Sequence, residues 1–87
     1  MDYGKLIGRL SLNTIAEVKR LPDIAKMIDG DVFLKHNRNV IDATSLMGIF
    51  SLDLSEPVEI HVCADDLEIN KLITQLTTEG YVLEVLR

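Results

Sequence analysis

The sequence predicts an α+β domain, and three observations carry that reading. Stretches that alternate apolar and polar residues take turns with stretches of helical periodicity. Cap and turn residues separate the stretches at short intervals. The resulting order is βαββαβα, which fits four antiparallel strands with three helices packed on one face. With 87 residues the chain makes a single domain, 1–87, with one modest core and no room for a deep active site. No internal repeat, low-complexity segment or linker interrupts it.

The first strand runs from Lys5 to Leu12. Leu6, Leu10 and Leu12 share a face with Gly8, and Lys5, Ile7 and Arg9 share the other; Gly8 marks a possible bulge. Thr14 and Glu17 have the spacing of a capping box, with Asn13 the competing cap. Ile15, Val18, Leu21, Ile24, Ala25 and Ile28 then recur at helical spacing. Pro22 inside that pattern predicts a kink or two helical pieces, and Gly30 is suited to the C′ position. Asp31 to Lys35 and Val40 to Ala43 read as a hairpin around His36-Asn37-Arg38-Asn39, because asparagine tolerates positive φ.

A short helix begins after Ser45 and is broken before Pro57. Val58 to Cys63 alternates as a strand. Asp65 caps the last helix, with Glu68 completing a box, Ile69, Leu72, Ile73 and Leu76 as its apolar stripe and Gly80 as its stop. The tail, Tyr81 to Leu86, favours an extra strand by composition, with a continued helix as the alternative. The uncovered sheet face is predicted to show Ile7, Phe33, Val40, His61 and Cys63.

Composition excludes several classes of function. The net charge is −5, and residues 53–87 hold eight acidic against two basic side chains. That balance argues against nucleic acid and anionic membrane as partners. No apolar run is long enough to span a bilayer, and no secretory signal is visible. The lone Cys63 fits a reducing cytoplasm. His61 and Cys63 could share a metal, but two ligands without a second pair make no site, and His36 falls in a turn. Asp65 and Asp66 read as helix-capping anions rather than catalytic acids. No phosphate loop, paired catalytic carboxylates or nucleophile–base set can be assembled, so the chain reads as non-enzymatic and without cofactor.

The most informative stretch is Ala43 to Leu54. Ser45 is placed as an N-cap, and Leu46, Met47, Ile49, Phe50 and Leu52 make the helix apolar nearly all round. A helix so short cannot turn every side to one core. Leu46, Met47 and Phe50 are spaced to form one contiguous patch, and Gly48 leaves a gap for close approach.

Ser45-Leu46-Met47-Gly48, with Asp31-Val32-Phe33-Leu34, Val40-Ile41-Asp42-Ala43 and Phe50-Ser51-Leu52, resembles the HPr family, the small phosphocarriers of the bacterial sugar phosphotransferase system. The likeness is best from Asp31 to Val62 and weak over residues 1–28. It implies an open-faced β-sandwich and a cytoplasmic protein whose partners are phosphotransferase-system or regulatory proteins. It also implies that Ser45 is a regulatory phosphosite.

That family carries its phosphoryl group on a histidine at the start of the first helix, followed by an arginine and a proline. Here Thr14 or Ile15 stands at the histidine position and Ala16 or Glu17 at the arginine position. The chain is therefore similar to the Crh-like members, which lack the histidine and keep the serine. Two rivals stand beside this reading: a genuine phosphocarrier with an unrecognised acceptor, and a structural module that associates with itself. A weak homodimer is expected through the open sheet face or the tail strand.

Incubation with phosphoenolpyruvate and enzyme I should leave the protein free of acid-labile phosphate. A histidine placed at position 14 or 15 alone should restore little uptake. Efficient transfer to the unmodified chain would contradict this reading.

Overall fold

Three short hydrogen bonds fix where the helices start in the computed structural model, which describes residues 3–86. Thr14 Oγ1 accepts from the Glu17 N–H at 3.1 Å and opens α1 (Ile15–Ala25). Ser45 Oγ accepts from the Gly48 N–H at 3.1 Å and opens α2 (Leu46–Phe50). Asp65 Oδ1 accepts from the Glu68 N–H at 2.9 Å and opens α3 (Asp66–Thr78). Each bond satisfies a donor that the first turn leaves without a helical partner. Glu17 also reaches back to the Asn13 N–H at 2.8 Å, one residue beyond the cap. Glu68 does not close a box with Asp65. Its carboxylate accepts from the Asp29 N–H at 2.7 Å and so ties down the turn after α1.

Pro22 does not divide α1. The helix runs through it as one element to Ala25, and Leu21, Pro22, Ile24 and Ala25 are all buried. The proline removes one intrahelical bond near the helix end, and the packing of its neighbours holds the helix across it. The helix closes at Lys26 rather than at Gly30. Residues 26–30 form an irregular turn, held by Glu68 and by the Lys71 ammonium, which donates to Met27 O at 3.2 Å. Gly30 has φ +151°, and a Cβ there would come within 2.5 Å of Cys63 O. Close approach to a neighbouring strand, not helix termination, is what requires glycine at that position.

The sheet has five strands, the four expected and the extra strand that the composition of the tail favours. They are β1 (Lys5–Ser11), β2 (Asp31–His36), β3 (Asn39–Asp42), β4 (Val58–Cys63) and β5 (Val82–Val85), in the order β3-β2-β4-β1-β5, all antiparallel. The tail is therefore a strand and not a continued helix. Gly80, at φ +88°, donates to Thr77 O, and Tyr81 N–H donates to Leu76 O, which together form a Schellman ending. That ending turns the chain back so that Leu83 pairs with Leu10 of β1. The β2–β3 hairpin turns at Asn37, with φ +55°.

The first strand departs from simple alternation. Its register against β4 shifts between Leu6 and Gly8, so that Leu6 pairs with His61 and Gly8 with Ile60. A bulge at this point moves Ile7 from the open face to the core, where it is fully buried, and Leu6 takes the outward position beside His61. Phe33, Val40, His61 and Cys63 keep the outward placement expected of them, each half-buried. Tyr3 stacks edge-on against Phe33 with ring centroids 5.7 Å apart.

The inner face of the sheet and the three helices share one core. Val58, Ile60 and Val62 of β4, Val32 and Leu34 of β2, and Ile7 and Leu10 of β1 meet Leu21 and Ile24 of α1, Ile49 of α2 and Ile69, Leu72 and Leu76 of α3. Among the described residues no helix is long and apolar enough to cross a membrane.

The bulge predicts opposite outcomes for adjacent leucine-sized side chains. Ile7→Ala should cost about 2–4 kcal/mol in denaturant unfolding. Leu6→Ala should cost clearly less. Equal losses would place both side chains on the same footing and refute the register shift.

Candidate functional site

The segment around α2 is locked at both ends by local hydrogen bonds. Asp42 Oδ1 accepts from the Thr44 N–H at 2.9 Å and from the Thr44 hydroxyl at 2.8 Å just before the helix. Asp53 Oδ1 accepts from the Ser55 N–H at 3.0 Å and from its hydroxyl at 2.6 Å just after it. Those bonds from Ser55 hold the Asp53 carboxyl below its ordinary pKa. Between them Ser51 Oγ donates to Gly48 O at 2.6 Å. These Asx-type turns bracket a single helical turn, shorter than the apolar stretch from Leu46 to Leu52 suggests.

The bracket decides which side chains α2 can bury. Ile49 is 0% exposed and Leu52, just beyond the helix, is buried. Met47 is 80% exposed, Phe50 45% and Leu46 37%. Three large apolar side chains of one five-residue helix thus remain at the surface, while α1 and β3 pack against its other side. Ser45 is exposed at the start of this helix. Gly48 does not leave an opening for a partner, as its position in the sequence suggests. A Cβ there would lie 3.2 Å from Ile41 Cβ and 3.2 Å from Ser45 Oγ, so the missing side chain lets α2 sit against its own sheet.

At the start of α1, Thr14 is occupied as a cap and Ile15 is 61% exposed. Thr14 offers a hydroxyl and Ile15 an aliphatic side chain, so neither position carries an imidazole. Ala16 and Glu17 line a shallow hollow of about 190 Å³ with Arg20, Glu79 and Tyr81. The sequence reading did not single this hollow out, because its parts lie 59 or more residues apart. Arg20 meets Glu79 through Nε at 2.9 Å and a terminal nitrogen at 3.2 Å. The Arg20 guanidinium, followed by the Gln75 amide, holds the Glu79 carboxyl below its ordinary pKa. Tyr81 is buried beside this pair, and its hydroxyl donates to Glu17 O at 2.7 Å. Burial, followed by the nearby Glu79 and Glu17 carboxylates, pushes the Tyr81 phenol up to about 12.

The histidines are paired rather than solvated. His36 Nε2 lies 3.3 Å from Glu56 and His61 Nε2 lies 3.0 Å from Glu59, with 12% and 14% of the two histidine side chains exposed. Among the described residues no group of three or more His, Cys, Asp and Glu side chains is placed to hold a metal. Cys63 is a free, half-buried thiol. Comparison with protein-family models, with curated proteins and with solved structures finds no match to this chain.

The Tyr81 contact has a measurable signature. Tyr81→Phe should cost about 1 kcal/mol at neutral pH through the lost bond to Glu17 O. Between pH 10 and about 12 the native state keeps a phenolic proton that the unfolded chain gives up, so this contribution falls as pH rises through that window. The stability difference between the two proteins, followed by denaturant unfolding, should therefore shrink above pH 10. A difference that grows with pH would contradict the assignment.

Proposed function

We propose that the chain is a non-enzymatic, regulatory protein-binding module that docks a partner on Leu46, Met47 and Phe50 of α2. In this reading it is an HPr-like protein of the cytoplasm that lacks histidine phosphocarrier chemistry. Phosphorylation of Ser45 would then control the docking. The single observation that supports the reading most is the 80% exposure of Met47 beside the half-exposed Phe50, on a helix held rigid by turns at both ends. Exposed large apolar side chains grouped on one element mark interaction surfaces more often than chance placement does. Methionine adapts to different partner shapes, and a flanking phenylalanine supplies buried area on contact.

A phosphate on Ser45 would add nearly two negative charges next to this apolar group, which disfavours burial of the patch by an apolar partner and favours a basic one. The missing chemistry at the start of α1 is consistent with the same reading, since Thr14 caps and Ile15 is aliphatic.

Met47→Asp separates docking from packing. Because the side chain is exposed, unfolding free energy should change by no more than ~0.5 kcal/mol. Affinity capture from the native cytosol with the wild type, Met47→Asp and Ser45→Asp as baits should give a protein retained by the first and lost by the second. A variant that unfolds, or one that retains the same partner, would contradict the proposal.

A further inference from the structure

The open face of the sheet carries an ordered charge row. The registers align Lys35 with Glu59, Glu59 with Arg9, and Arg9 with Glu84, so one row crosses β2, β4, β1 and β5. Its signs read plus, minus, plus, minus. The next row holds Phe33, His61 and Leu6, with Tyr3 stacked on Phe33. Leu86, whose N–H donates to Ile7 O at 2.9 Å, continues the alternation of β5 and stands at the far end of this second row, 39% exposed.

We propose that this face binds a second copy of the chain, with a two-fold axis parallel to the strands and between β4 and β1. That operation reverses the strand order of the second copy. Lys35 then faces Glu84 of the other copy and Glu59 faces its Arg9, and each contact occurs twice. In the neighbouring row Phe33 faces Leu86 and Leu6 faces His61. Charge meets opposite charge, and the two aromatic-to-aliphatic contacts fall together. A two-fold axis across the strands would stack each charge on its own kind, so the pattern selects one orientation. With the axis along the strands the two sheets pack in the aligned arrangement common to β-sandwiches.

The Arg9–Glu84 pair, 3.0 Å apart within one chain, presents both members on the surface. The four strands that face each other, ~4.8 Å apart and about six residues long, give a face of roughly 19 by 20 Å. That is at the small end for a specific interface, and the association is weak and concentration-dependent. The helices lie on the opposite side of each sheet, so this dimer leaves both α2 surfaces uncovered.

Sedimentation equilibrium on the full chain over rising concentration tests the proposal. The wild type should show a monomer–dimer equilibrium. Arg9→Glu alone and Glu59→Arg alone should each weaken the dimer at least tenfold, because each sets like charges face to face. An equimolar mixture of the two variants should recover association, since every substituted position again meets its opposite. Circular dichroism checks that each variant is folded; if one is not, Lys35→Glu mixed with Glu84→Lys applies the same test to the outer contact. A wild type that stays monomeric up to ~1 mM, a dimer indifferent to the substitutions, or a mixture that fails to recover association would each overturn the proposal.

Discussion

Strand β4 pairs with β2 on one side and β1 on the other, and without it the sheet falls into two unconnected strand pairs. Its alternation is strict. Val58, Ile60 and Val62 are buried, while Glu59, His61 and Cys63 point to the open face. Fully burying side chains of this size stabilises by ~1.5–3 kcal/mol each, so a one-residue slip that exchanged the faces would cost far more than any turn could return. The neighbours conform to β4. Val32 and Leu34 of β2 fall into register with Val62 and Ile60. β1 matches Leu10 to Val58 at one end and accommodates Ile7 in the core through its bulge at the other.

A core closed in this way leaves little for α2. One face of the sheet must be shared by α1 and α3, whose buried positions come from eleven- and thirteen-residue helices. The five-residue α2 fills the remaining gap with Ile49, and Leu52 follows it inward. Gly48 brings the helix down onto Ile41, which tilts the choice of inward side chain away from Leu46, Met47 and Phe50. The exposed apolar group is thus a consequence of how short the helix is and how closely it sits. Two opposite surfaces result, a charged row on the sheet and an apolar group on the helical side.

What the sequence made legible was local. The caps Thr14, Ser45 and Asp65 were readable because each acts on a donor within three residues. The β4 alternation followed from periodicity, and the length of α2 implied that part of its apolar surface stays exposed, but not that Met47 would be its most exposed side chain. The bulge was readable at Gly8, but its effect on the side chains before it was not. Leu6 and Ile7 are equally apolar, and only the partner strand decides which one turns inward. Glu68 was lost for a similar reason, since the Asp29 N–H lies 39 residues away and no spacing rule points to it. The Pro22 break failed because burial on both sides of the proline outweighed the missing bond. The Arg20–Glu79–Tyr81 cluster joins α1 to the end of α3 and the start of the tail, and it has no signature in any one segment.

The account rests on α2 turning Ile49 inward and Met47 outward. Methyl NMR with a soluble paramagnetic probe measures that directly, through the relaxation of each methyl group by solvent contact. The Met47 methyl should relax strongly and the Ile49 methyls should be protected as fully as those of Ile60 in β4. Comparable protection of Met47 and Ile49 would mean that the helix buries both, and the surface described here would not exist.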